Sequence, residues 1–160
     1  MAEATIEFDS AAVRAFFERI QKNLKDIEQR DKVFVTSISA IVYRDVISHF
    51  EEQKGSKGKW KAWSRVYQER MRRIGRENNK ILQFDGSLRQ AFRPTNWRSK
   101  RDGIEWFNPA KTKSGFPYAL AHDEGGPKLP KRDFMWLSND AFERIAEITA
   151  SYMISGRSKK

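Results

Sequence analysis

Apolar residues recur at spacings of three and four over the first fifty positions, which is the pattern of one face of an α-helix. A first helix is predicted for residues 10–29, with Asp9 or Ser10 as its cap; its apolar positions are Val13, Phe16, Phe17, Ile20, Leu24 and Ile27. A second helix is predicted from an Asp31 cap to about Gln53, with the apolar stripe Phe34, Ile38, Ile41, Val42, Ile47 and Phe50. Because the connection is short, the two helices are predicted to form an antiparallel hairpin.

The middle of the chain alternates loops with short elements. Ser64 is placed to cap a short basic helix that ends near residue 73 or 74, and a further short helix is predicted for residues 88–92. Residues 97–100 and 104–107 flank Arg101-Asp102-Gly103. An Asp-Gly step between short aromatic runs predicts a β-hairpin.

The last third contains one or two helical turns at residues 118–122 and a short strand at residues 134–137, both expected from their apolar runs. Ser138 is placed to cap a final helix with the apolar face Phe142, Ile145, Ile148, Tyr152 and Met153. These elements predict an α+β fold with an N-terminal helical hairpin, a small antiparallel sheet with a β-hairpin near 97–107, and a C-terminal helix. At 160 residues the chain fits one domain, with residues 155–160 expected to fray as a basic tail.

Composition narrows the class of protein. The chain has no Cys, so disulfides and thiolate zinc sites are excluded, and its acidic N-terminus is unlike a secretion signal. No apolar run approaches the roughly 20 residues that cross a bilayer, which predicts a protein that is made in the cytoplasm and binds no membrane. No cofactor is predicted.

Positive charge is concentrated in the centre. Residues 54–101 hold 15 Lys and Arg against 3 Asp and Glu, whereas residues 1–53 hold 7 against 10. We define as the basic patch Lys57, Lys59, Lys61, Arg65, Arg70, Arg72 and Arg73. Interleaved with Trp60, Trp63 and Tyr67, the patch has the chemistry to contact phosphates and stack on bases, or to meet an acidic protein surface. Both alternatives remain open at this point.

Candidate catalytic groups are few. His122, Asp123 and Glu124 form the one cluster of a His with two carboxylates, and the only other His is His49, inside a helical stripe. A metal or acid–base site needs further partners, so a polar helix end leading into Gly125-Gly126 is the preferred interpretation. The Gly55-Ser-Lys-Gly58 segment lacks the spacing of a phosphate loop. No enzyme activity or metal site is predicted.

Four motifs, in order, carry a family resemblance. They are Lys59-Trp60-Lys-Ala-Trp63 before the basic helix; Ile81-Leu82-Gln-Phe-Asp-Gly86-Ser-Leu88; Tyr118-Ala-Leu-Ala-His122 followed by Gly125; and Arg132-Asp-Phe134-Met-Trp-Leu137-Ser138 before the last helix. With the two leading helices, they make nearly the whole chain resemble the phage virion morphogenesis family, the small tail-completion, tail-terminator or neck proteins of tailed, Mu-like phages and related prophages. Asp85 and Asp133 depart from the family pattern, which more often has Thr or Ser and Pro there.

The resemblance implies folding roles for its motif residues. Gly86 would permit a tight turn, Tyr118 and His122 would lie one turn apart on one face, and Phe134 with Leu137 would enter the core.

The resemblance also implies a virion subunit, made in the host cytoplasm, that closes a ring, with six copies expected, at the head–tail joint or the head-proximal end of the tail. Its implied partners are further copies of itself and connector, neck, tail-tube or sheath proteins, with non-specific contact to DNA in the lumen. A free-standing DNA-binding protein that uses the basic stretch 54–101 is the alternative.

Overall fold

The computed structural model describes residues 10–29, 31–101, 103–127 and 129–156, without the side chains at 10, 12 and 13. The helices are α1 (Ser10–Glu28), α2 (Lys32–Glu52), α3 (Arg65–Arg73), α4 (Ser87–Ala91), α5 (Tyr118–Glu124) and α6 (Asn139–Ser155). The strands are β1 (Lys54–Gly55), β2 (Gly58–Lys59), β3 (Trp97–Lys100) and β4 (Gly103–Trp106). The fold is α+β, as predicted, with two N-terminal helices, two small antiparallel sheets and a C-terminal helix.

Some of the predictions fall outside the described residues. They concern Asp9 as a cap, the side chain of Val13, Asp102 in the hairpin turn, and tail residues 157–160. Of the predicted tail, Ser155 belongs to α6 and Gly156 is the left-handed cap of that helix.

The core is built on α2. Asp31 caps this helix, because its carboxylate accepts hydrogen bonds from the backbone N–H groups of Val33 and Phe34, at 2.9 and 3.0 Å. The buried stripe of α2 is Phe34, Val35, Ile38, Val42, Val46 and Phe50. Within the described chain α2 is also the one helix whose length and composition would suit a membrane span. Core helices pass the same test, and this one carries most of the core, so the expectation that no membrane is bound stays a prediction.

Both N-terminal helices pack against α6 and contact each other less than they contact it, so the two helices of the predicted hairpin are held together mainly through α6. Phe34 of α2 meets Tyr152 of α6 with ring centroids 5.1 Å apart. The buried Asn23 of α1 donates from Nδ2 to the carbonyl of Met153 at 2.9 Å and lies beside Gly156. Tyr152 in turn lies near Asp26 and Asp31. The helices α1 and α6 are therefore antiparallel.

The first half of α1 extends past the end of α6, because Asn23 already meets its last described residue, Gly156. Among the described side chains from residue 11 to residue 22, none is buried and Ile20 alone is half-buried. The predicted apolar stripe is therefore mostly exposed: Phe16, Phe17 and Leu24 are exposed by 39%, 57% and 40%. Only Ile27, at the other end of the helix, packs against the core.

Strands β3 and β4 form the predicted antiparallel hairpin, with β4 one residue earlier than predicted and Trp97 paired with Trp106. Trp106 fixes the hairpin to α2 by donating from Nε1 to Ser39 Oγ at 3.0 Å. The two-residue strands β1 and β2 were not expected; they form a small hairpin directly after α2.

The predicted strand at residues 134–137 is wrong. The segment is irregular, because side chains take up the backbone groups that a neighbouring strand would have paired. Asp123 Oδ1 accepts from the N–H groups of Phe134 and Met135, and His49 Nδ1 donates to the carbonyl of Phe134 at 3.0 Å. Phe134 is fully buried, as expected, but the expectation for Leu137 is wrong, since it is 38% exposed. Phe142, predicted on the apolar face of α6, is 65% exposed.

Candidate functional site

The segment from Arg132 to Ser138 fastens distant parts of the chain together. The Asp133 carboxylate accepts from the backbone N–H of Ser56 at 3.0 Å and from its hydroxyl. The carbonyl of Asp133 accepts from Trp60 Nε1 at 2.9 Å. A Cβ at Gly55 would lie 2.3 Å from Asp133 Oδ1, so the turn after α2 needs glycine there. Asp133, which departs from the family pattern, therefore fixes the turn after α2 to this segment.

A groove of about 1100 Å³ opens next to this segment. All four motifs of the family resemblance contribute to its wall. The lining residues are Lys61, Ala62, Trp63, Ser64 and Tyr67; Leu82, Phe84, Asp85, Ser87 and Leu88; Tyr118 and His122; and Gly126, Pro127, Leu129, Pro130 and Arg132. Tyr118 and His122 share one face of α5, as predicted. The wall combines aromatic rings with a few polar groups, which is typical of a binding site.

Local backbone geometry shapes one side of the groove. Gly86 has φ +78° and begins α4, as its motif implied, while Asp85 Oδ1 accepts from the N–H of Ser87 at 2.9 Å. These hydrogen bonds from Ser87 lower the pKa of the Asp85 carboxyl. Leu82 has φ +62°, a conformation that costs a residue with a Cβ roughly 1–3 kcal/mol. The strained Leu82 and the buried Leu88 both line the groove.

Arg132 is the most unusual residue of the groove. It is 7% exposed, and its guanidinium donates from Nε and Nη2 to the carbonyl of Lys61, at 3.2 and 3.1 Å. Among the described residues no carboxylate pairs with it. Burial lowers the pKa of Arg132, and the neighbouring Tyr67 acts in the opposite direction. A buried guanidinium without a carboxylate partner carries an unbalanced positive charge.

His122 adds a second polar group. Burial, and then the charge of Arg132, lower the pKa of His122, so its neutral form is favoured. Its Nδ1 is buried and has no hydrogen-bond partner among the described residues. The carbonyl of His122 accepts from the N–H of Arg132 at 2.9 Å, which ties α5 to the Arg132 segment.

The cluster His122-Asp123-Glu124 does not come together as a catalytic site. His122 lines the groove, whereas Asp123 is committed to two backbone N–H groups and Glu124 is exposed. No group of three His, Asp or Glu that could hold a metal ion occurs in the described part of the chain. Gly125 fits its predicted turn role, because φ is +76° and a Cβ would lie 2.7 Å from the backbone nitrogen of Lys131.

A second cluster of polar and aromatic side chains lies at the N-terminal end of α6. His49 stacks on Trp136 with ring centroids 4.0 Å apart, and its Nε2 lies 3.7 Å from Asp45 Oδ2. Ser138 Oγ donates to Asp45 at 2.6 Å and accepts from the N–H of Ala141 at 3.2 Å. Because the hydroxyl bonds the carboxylate and not the imidazole, the arrangement is a helix cap and lacks the order of a nucleophilic triad.

The seven residues of the basic patch are all exposed. Lys57 and Lys59 lie on the small hairpin, Lys61 reaches the groove, and the four arginines lie on α3. Glu69 pairs with Arg72 and Arg73, at 2.8 and 3.4 Å, and neutralises part of the charge. Trp60 is 6% exposed and anchors the loop, as expected, whereas Trp63 is only half-buried.

The sequence pattern places Tyr67 in the basic stretch and indicates no site for Phe84 or Leu129. Their convergence with Tyr118 depends on how four distant segments pack, and no local pattern marks it. The order of the four family motifs along the chain was the one feature of the sequence that indicated this convergence.

Comparison of the chain with protein-family models, with curated proteins and with solved structures finds no match. The resemblance to the phage virion morphogenesis family therefore rests on the four motifs alone.

Proposed function

We propose that this protein is a structural subunit of a tailed-phage particle that assembles into a ring at the head–tail joint or at the head-proximal end of the tail. Its place would be the virion, after synthesis in the host cytoplasm. Its partners would be other copies of itself, six being expected, and the neighbouring connector, neck, tail-tube or sheath proteins. The convergence of the four motifs on one groove supports this reading over a chance match of short sequences.

The observation that carries the proposal is the exposed apolar stripe of α1. Phe16, Phe17 and Leu24 on α1 are exposed by 39%, 57% and 40%, and the ring centroids of Phe16 and Phe17 lie 5.9 Å apart. Large apolar side chains that lie exposed together on helices mark surfaces that bind other proteins. A helix that extends beyond the body of its own subunit is suited to a neighbour, and a ring requires such a contact to be repeated around an axis.

The proposal assigns no catalysis to the chain. Asp123 of the candidate cluster accepts hydrogen bonds from the backbone N–H groups of Phe134 and Met135, which is a structural role. The aromatic groove and the basic face of α3 are then surfaces for binding.

The alternative is a free-standing DNA-binding protein, and the exposure of the whole basic patch favours it. Such binding would weaken steeply with salt, because Lys and Arg release counterions from the phosphates. In the ring, the same patch would face an acidic neighbour or the DNA that passes through the lumen.

The test is the mass of the protein in solution, measured by mass photometry and native mass spectrometry, alone and with tail tubes or connectors. We expect a ring of fixed copy number, or one that forms on a phage partner. Phe17→Ser should abolish it, whereas Phe116→Ser should not, because Phe116 is 55% exposed and lies outside α1, the groove and the basic patch. A chain that stays monomeric and binds neither structure would refute the proposal. Salt-sensitive saturation of DNA by monomers or dimers would favour the alternative.

A further inference from the structure

The positive charges in the wall of the groove outnumber its negative ones. Arg132 lies buried in its wall with only a carbonyl as hydrogen-bond partner, and Lys61 stands exposed at its edge. The one carboxylate of the lining, Asp85, is held by Ser87. The groove therefore suits a ligand that brings carboxylates together with apolar side chains.

The chain contains such a segment. Residues 1–9, Met-Ala-Glu-Ala-Thr-Ile-Glu-Phe-Asp, hold three carboxylates and no Lys or Arg. Ile6 and Phe8 alternate with Glu7 and Asp9, and an extended chain with this alternation would present apolar groups to one side and carboxylates to the other. In the sequence this segment directly precedes the half of α1 that extends past α6.

We propose that the acidic segment 1–9 of one subunit binds in the groove of a second copy, with its carboxylates at Arg132 and Lys61 and its apolar side chains among the aromatic rings. This inference rests on the self-association proposed above and adds the contact that would link successive subunits. The contact is head-to-tail, because the segment and the groove are different surfaces of the same chain. Repetition of such a contact closes a ring where the rotation permits it.

A binding assay tests the site without requiring a ring. The probe is a fluorescein-labelled synthetic peptide of residues 1–9, and the receptor is the full chain with Glu3→Gln, Glu7→Gln and Asp9→Asn, whose own segment cannot compete. We expect saturable binding by fluorescence polarisation, and binding at least about tenfold weaker for a peptide with the same three amides.

Groove variants then locate the site. Lys61→Glu should weaken peptide binding by about fivefold or more, whereas Lys57→Glu, equally exposed but outside the groove, should change it less than about twofold. Arg132→Gln should reduce binding by about thirtyfold or more. Because Arg132 is buried, the melting temperature of the Arg132→Gln variant is measured in parallel. If the Arg132→Gln variant unfolds, the Lys61→Glu variant still decides the test. Equal binding by the Lys61→Glu and Lys57→Glu variants would overturn the proposal.

A mixing experiment tests the head-to-tail arrangement. The triple-amide variant and the Lys61→Glu variant should each fail to assemble, and a mixture of the two should form a 1:1 complex that grows no further. Assembly of either variant alone to the wild-type mass would overturn the proposed contact. The wild-type chain could bind the peptide and yet stay monomeric with every phage partner. That result would refute the ring but would keep the groove as the binding site of this segment.

Discussion

Trp60 offers the sharpest test of the packing argument. It is 6% exposed, meets Phe50 edge-on with ring centroids 5.7 Å apart, and donates to the carbonyl of Asp133. Burial of a Trp removes about 200 Å² of surface from water, worth about 5 kcal/mol at about 25 cal/mol per Å². Trp→Ala changes in cores cost about 3–5 kcal/mol, and an unpaired carbonyl adds about 1 kcal/mol or more. We expect Trp60→Ala to lower the free energy of unfolding by about 4 kcal/mol.

Two variants separate the contributions. Trp60→Phe keeps an aromatic ring against Phe50 but loses the hydrogen bond, so we expect a loss of about 2 kcal/mol. Trp63→Ala removes a half-buried ring that contacts Tyr67, and should cost only about 1–2 kcal/mol. Urea unfolding followed by far-ultraviolet circular dichroism measures all three, with unchanged m-values as the check on two-state behaviour. A loss below about 2 kcal/mol for Trp60→Ala, or a larger loss for Trp63→Ala, would refute the anchoring role.

Three further predictions concern charge, backbone and pH. The first variant carries Glu at Lys57, Lys59, Lys61, Arg72 and Arg73. We expect its stability to change by less than about 0.5 kcal/mol per site, whereas its binding to partners should be lost or should depend differently on salt. Unchanged binding at every salt concentration would show that the basic patch only faces solvent. Gly125→Ala should lower the melting temperature by several degrees because its Cβ would meet the Lys131 backbone, whereas Gly126→Ala, where a Cβ meets nothing within 4 Å, should not. His122 has a lowered pKa in the folded state, so its contribution to stability is fully present above about pH 6.5 and is lost as pH falls. Unfolding free energies between pH 7.5 and 5 should therefore decline less steeply for His122→Gln than for the wild type, and parallel curves would contradict this assignment.

The sequence predicted best what neighbouring residues decide. The caps at Asp31, Ser64 and Ser138 depend on a side chain two or three residues from the N–H that it accepts from, and all three occur. The hairpin near 97–107 followed from an Asp-Gly step in the same way. Such short-range rules placed the helices to within one or two residues at most ends.

Features that depend on distant contacts were beyond these rules. Residues 134–137 have the composition of a strand, but Asp123 and His49 satisfy their backbone groups from elsewhere in the fold. The α1 stripe has the periodicity of a buried face, yet α6 is too short to cover it. The burial of Arg132 follows from the packing of the small hairpin against residues 132–134, and composition alone marks Arg132 as one more surface charge.

The hydrogen bonds of the Arg132–Ser138 segment to distant residues affect how the chain folds. Its hydrogen bonds reach back 71 residues to Lys61, 77 to Ser56, 85 to His49 and 93 to Asp45. Closing loops of this length costs entropy before any contact compensates it, so these hydrogen bonds are expected to form late in folding. During synthesis, the N-terminal helices leave the ribosome long before α6 exists to pack on them. The packing of α1 and α2 on α6 can therefore form only after α6 has been made, and until then the apolar face of α2 that α6 covers is open to solvent.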